Sequence, residues 1–254
     1  MTDLLHSANL RLSRGKYHIT DLNERIRSFL QEGTYTIIRE DNLNGIHESQ
    51  KITIKLTKPI PDNFTTIAAD AIDNLRSALD HAWYAIANAS KALSADKRAY
   101  FPIPDTIRGL ENFISTKGAR YPKDIIALLR EIEPYRGPNG YLWALNWICV
   151  KNKHRLIAPI AMLANVEMIH AFSYGTAKQI DRPIFDSSKN EIVFYAPIRD
   201  TTIKYNINIT FDIAFHETGI PHPGSAINIL SLFAEIVDDV INGLERIAKS
   251  LRYI

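Results

Sequence analysis

The chain has 254 residues, of which 46% are hydrophobic and 23% charged, the balance of an ordinary globular protein rather than a disordered, collagen-like or disulfide-stapled one. Its 30 basic and 28 acidic side chains leave a net charge of +2, which neither demands nor excludes a nucleic-acid partner, because a local basic patch can hide in a near-neutral total. A single cysteine, Cys149, rules out an internal disulfide and, lying in the apolar run WALNWICV, is expected to be a buried free thiol. The opening residues MTDLLHSANLRLSRGKYH have no sustained apolar core and do not read as a signal peptide. No run approaches the roughly 18 apolar residues that span a bilayer. A cytoplasmic protein of bacterial or phage type, without a membrane partner, is the expectation.

Residues 3–32 carry Leu4, Leu5, Ala8, Leu12, Ile19, Leu22, Ile26, Phe29 and Leu30 at helical spacing, and Gly33 can stop the helix. TYTIIRE (34–40) and QKITIKLT (50–57) alternate and are rich in β-branched residues; with DNLNG between them they predict a hairpin. Asp62 or Asn63 can cap the next helix, 62–91, whose apolar stripe from Ile67 to Ile86 makes it the longest element. AYFPIPDT breaks the pattern with two prolines, and helices over 105–117, 122–132 and 141–153 follow. Between 160 and 212 the chain turns β-rich in NEIVFYAPI and TIKYNINITFDIAF, with AMLANVEMIHAFSYG able to join as a further strand. Residues 225–254 predict a long amphipathic helix. No repeat and no long linker divides the chain. The expected fold is α+β, one domain over 1–254: a mainly helical bundle (about 3–32, 62–91, 105–155 and 225–254) with a small antiparallel sheet (about 34–57 and 160–212).

A glycine-rich phosphate loop is absent, one cysteine cannot build a zinc site, and no His-Glu-x-x-His occurs. His216, Glu217 and His222 invite a metal reading, but Gly219, Pro221 and Pro223 deny them helical spacing, so no metal and no cofactor is expected. Glu235, Asp238 and Asp239 read as a solvated helix face.

NLRSALDH (74–81) is the polar interruption of a very apolar helix and places Arg76 and His81 with four residues between them. On an ideal helix Asn74 and His81 share a face, whereas Arg76 and His81 stand about 140° apart. Asp73 and Asp80, three before and four after Arg76, can both pair with it. So loose a spacing arises readily by chance, and Arg11 and His18 repeat it with six residues between.

The Asp73–Asn74 lead-in distinguishes the second segment. With it, NLRSALDH resembles the signature of the HEPN superfamily, small helical proteins in which a polar residue precedes an Arg and a His follows four to six residues later. NLRSALDH, FPI (101–103) and NKHR (152–155) in this order also resemble a set of uncharacterised bacterial proteins sharing these landmarks, over roughly residues 60 to 156. The superfamily core is a plain helical bundle, so the predicted sheet is a departure. The resemblance implies a metal-independent ribonuclease, a toxin or phage-defence effector. His81 would take the 2′-OH proton and Arg76 would stabilise the phosphate, with Asn74 or Asp73 orienting them. It implies RNA as a partner, a homodimer whose two motifs form one cleft, and an antitoxin or regulatory protein.

Lys151, Asn152, Lys153, His154 and Arg155 close the 141–153 helix. Cations there suit the helix dipole. They also suit a phosphate-binding site near Arg76. Asn152 and His154 could equally hydrogen-bond the polar face of the 62–91 helix. Against the ribonuclease stands a non-catalytic interaction or nucleotide- and ligand-binding protein that uses the same polar motif structurally.

Overall fold

The structure, a computed structural model, describes residues 4–42, 49–92, 99–137, 140–152, 161–169, 184–186, 189, 191–197, 206–214 and 225–253. Helix α1 (His6–Gln31) buries Ala8, Leu12, Gly15, Ile19, Leu22, Ile26 and Phe29, the three-to-four spacing that lays one face on a core. Gly33 follows it with φ +66, a left-handed conformation that glycine adopts without steric cost. Strands β1 (Tyr35–Asn42) and β2 (Ser49–Leu56) form the expected hairpin, with Tyr35 opposite Leu56 and Asn42 opposite Ser49.

Helix α2 (Asp62–Ala89) begins differently from the expectation. Its cap is Pro61, in extended backbone and without a side-chain hydrogen bond; neither Asp62 nor Asn63 caps it. The proline ring fixes the entry angle, and Asp62 instead places its charge in the first turn, where the helix dipole favours it. Helix α3 (Ile107–Lys117) starts at Thr106, whose hydroxyl accepts from the Gly109 N–H, and ends in a 3-10 turn, Gly118–Arg120. Helices α4 (Lys123–Ile132) and α5 (Tyr141–Asn152) follow. Helix α6 (Ala226–Ser250) is capped by the Ser225 hydroxyl, which accepts from the Asn228 N–H.

The fold is α+β and mainly helical, as the sequence predicts. Among the described residues the strands form two antiparallel sheets. Strands β4 (Ile184–Asp186) and β5 (Glu191–Pro197) join the hairpin in the order β1-β2-β5-β4, with Ile54 opposite Ile192. Strands β3 (Ala161–Ile169) and β6 (Asn206–Ala214) pair separately.

Helix α2 is the central element, touched by α1, α5 and α6. Ala68, Ala71, Ile72, Leu75, Ala78, Leu79, Ala82 and Ile86 are wholly buried, a far wider arc than a surface helix shows. Ile52, Ile54, Leu56 and Ile192 of the four-stranded sheet belong to the same core cluster. α1 comes close to α2 at Gly15, where a Cβ would stand 2.8 Å from the Leu75 Cδ2. An ion pair from Lys16 to Asp238 ties α1 to α6, so Asp238 has a partner while Glu235 and Asp239 stay exposed. Among the described residues no helix is long and apolar enough to cross a membrane.

Candidate functional site

Arg76 lies on the side of α2 that faces α5 and the FPI segment. Its Nε donates to Asn146 Oδ1 at 2.8 Å, its Nη1 to Asp80 Oδ1 at 2.6 Å, and its Nη2 to the carbonyl of Phe101 at 3.1 Å. The same Asp80 oxygen accepts from the Phe101 N–H at 2.9 Å. Phe101 sits in irregular backbone beside Pro102, a residue with no N–H. Both of its peptide groups would otherwise lack a secondary-structure partner. The Arg76–Asp80 pair satisfies both at once, and so fixes the FPI segment against α2. Only 12% of the Arg76 side chain is exposed, and 25% of Asp80.

Asp73 does not share Arg76, contrary to the expectation of two flanking carboxylates. Among the described residues the ion pair of Arg76 is with Asp80; Asp73 Oδ1 accepts from the Cys149 thiol at 3.2 Å. Cys149 is buried, as its apolar run predicts. Asp73–Cys149 and Arg76–Asn146 step in opposite chain directions, so α2 and α5 run antiparallel here.

Asn74 and His81 face α1 instead. The Asn74 amide donates to the Asp70 carbonyl at 2.8 Å and its oxygen accepts from Arg11 Nη1 at 3.3 Å. His81 Nδ1 shares a hydrogen bond with the Ser7 hydroxyl at 2.7 Å, and the imidazole is half-buried. The separation of about 140° on the helix is thus realised as two seams. Arg76 and Asp73 serve α5, while His81 and Asn74 serve α1, and one chain does not bring Arg76 and His81 to a common reacting atom.

Of the five residues at the end of α5, Lys151 lies over the Trp147 ring, 3.7 Å from its centroid. Trp147 stacks on Trp143 at 5.9 Å, and Arg136 covers Trp143 at 5.1 Å. Asn152 is the last residue of α5. Lys153, His154 and Arg155 lie outside the described residues, as do His216, Glu217 and His222. Among the described residues no three His, Cys, Asp or Glu side chains gather as a metal site.

On the far side of Phe101 opens an aromatic cleft of ≈ 480 Å³, lined by Trp83, Phe101, Pro102, Phe113 and Tyr121 with Lys117 and Arg120 among the wall residues. Trp83 meets Phe101 edge-on at 5.6 Å and Tyr121 at 4.7 Å, and its Nε1 donates to the Tyr121 hydroxyl at 3.2 Å. Burial holds the Tyr121 phenol above its usual pKa, opposed in part by the Trp83 hydrogen bond and the Arg120 charge. Trp143 Nε1 donates to Asp105 at 2.8 Å, so the FPIPD segment is held at both ends.

The sequence does not single out Asn146, Asp105 or Ser7, and it offers Arg11 only as half of the Arg11–His18 spacing. Asn146 has a visible signal, a lone amide in the apolar run WALNWICV, of the same kind as the polar interruption at Arg76. Ser7 has none, and the contact of Arg11 with Asn74 depends on how α1 docks. Compared with known proteins, the chain matches no family profile, no curated protein and no solved structure.

Proposed function

We propose that the chain is a non-catalytic, ligand-binding helical protein in which Arg76 and Asp80 of the Arg-x4-His segment hold the Phe101 wall of the aromatic cleft. The state of Arg76 carries this reading. A guanidinium that stabilises a phosphorane must offer an edge of N–H donors to the phosphate oxygens. Here Nε, Nη1 and Nη2 all donate to protein acceptors, and the side chain is 12% exposed. The test is incubation of purified protein with mixed single-stranded and structured RNA in EDTA, alongside His81→Ala and Arg76→Ala. No cleavage is expected from any of the three. Cleavage by the wild type that disappears in His81→Ala would overturn the reading.

One observation favours the second reading, a metal-independent ribonuclease. His81 is half-buried on the α1–α2 seam with Ser7, two turns from the Arg11–Asn74 contact, so an imidazole and a cation share that surface. His81 would act as general base there, with Asn74 as a positioning group and the phosphate cation coming from Arg11 or from a second copy's Arg76. Lys151 to Arg155 would then hold phosphates. RNA, a homodimer, an antitoxin or regulatory protein, a toxin or defence role and a cytoplasmic setting all belong to this second reading.

A further inference from the structure

The geometry points to a mononucleotide, a planar base carrying a phosphate, as the ligand of the cleft beside Phe101, an assignment that rests on the ligand-binding reading above. Its volume of ≈ 480 Å³ lies in the range of small-molecule sites. Its floor is aromatic: Trp83, Tyr121 and Phe113 pack within 6.3 Å of one another centroid to centroid, Trp83 and Phe101 are buried, and Tyr100 at the rim is 64% exposed. The uncovered Tyr100 ring at the rim suits a base that stacks.

Charge narrows the choice further. Lys117 in the last turn of α3 and Arg120 in the following 3-10 turn are both exposed, and among the described residues no carboxylate pairs with either. The Tyr121 oxygen accepts from Trp83, which leaves its own O–H proton to donate. An ammonium, a forked guanidinium and a hydroxyl donor in the lining of one cleft match the several acceptor oxygens of a phosphate. Phe101, also in the lining, has its backbone held in place by Arg76 and Asp80 before any ligand arrives, which lowers the ordering cost of binding. A second cleft, between α4 and α6, mixes Asp124 and Glu131 with Arg246 over Leu128 and has no ring in its lining.

The experiment titrates the full chain by calorimetry with adenosine and uridine 5′-monophosphates, adenosine, and inorganic phosphate. A mononucleotide should bind at least about tenfold more tightly than adenosine or phosphate alone, and Lys117→Ala and Arg120→Ala should each weaken it by about tenfold. Both side chains are exposed, so both variants should fold, which thermal melting checks. No binding of either mononucleotide, or binding unchanged in the Lys117→Ala/Arg120→Ala double variant, would overturn the assignment. A parallel denaturation of Arg76→Gln separates the two failures. Absent nucleotide binding with Arg76→Gln clearly destabilised removes the ligand class alone, whereas His81-dependent RNA cleavage removes the ligand-binding reading on which it rests.

Discussion

Replacing Arg76 by Gln leaves Asp80, Asn146 Oδ1 and the Phe101 carbonyl to share one amide instead of a guanidinium. Three hydrogen bonds from a charged donor are at stake, each worth about 1.5–3 kcal/mol when fully formed in a protein. Two corrections reduce the sum. Water reaches Asp80, which is 25% exposed, and the Gln amide can still serve one acceptor. A net loss of about 2–4 kcal/mol remains, on the order of what breaking a partly buried pair costs. For a chain of this length that corresponds to a fall in Tm of about 4–8 °C. Urea denaturation followed by circular dichroism measures it, as a lower midpoint at an unchanged m-value. In a double-mutant cycle, Arg76→Met with Asp80→Leu should recover part of the loss, with a coupling of about 1–3 kcal/mol. A loss below about 1 kcal/mol with no coupling would refute the structural account of Arg76, since a guanidinium reserved for a ligand can be removed at little cost to the fold.

His81→Ala should change stability by less than about 1 kcal/mol in the same denaturation assay, because it removes one hydrogen bond to an exposed serine; a loss several times larger would mark the imidazole as a fold element. Gly15→Val should destabilise by about 1–3 kcal/mol through overpacking against the buried Leu75, and an unchanged midpoint would show that α1 can shift away. Tyr121 predicts a pH effect of definite sign. Its phenol is held above the ordinary value of 10.0, chiefly by burial, so the fold favours the neutral form. Below that value both folded and unfolded chains are neutral and the contribution is fully present; as pH rises further the unfolded chain ionises first, and stability is lost through the folded pKa. Urea midpoints between about pH 9 and pH 11 should therefore fall more steeply in wild type than in Tyr121→Phe, and parallel curves would count against the burial of this ring.

The helices were legible because each announces itself locally. α1, α2 and α6 carry apolar residues at the helical period over long stretches, and that period needs no partner to be seen. The start of α2 is the exception, since Asp62 and Asn63 are good capping residues in general and only the extended backbone of Pro61 decides the matter. Strand pairing was the least accessible part. β2 meets β5, with Ile54 opposite Ile192, and nothing in an alternating pattern says which distant strand will lie beside it. β4, at three residues, is too short to show any alternation.

For the candidate site, helical geometry carried further than the motif did. The angle of about 140° between Arg76 and His81 already pointed them at different neighbours, and the structure gives those neighbours as α5 and α1. What spacing could not supply was the identity of the partners, because Asn146 and Phe101 lie far along the chain. Yet the order of landmarks held part of the answer. FPI places Phe101 just ahead of a proline, in backbone that no helix or strand can satisfy. NLRSALD supplies, one helical turn apart, a donor for its carbonyl and an acceptor for its N–H. The two landmarks are therefore halves of one hydrogen-bonded unit, and that unit gives a reason for them to occur together without invoking a reaction. Phe101 is the pivot, with its peptide groups bound to Arg76 and Asp80 and its ring against Trp83. The polar segment that most resembles a catalytic motif and the aromatic cleft thus meet at a single residue. A change at Arg76 should reach the cleft through that backbone even though Arg76 itself does not line it.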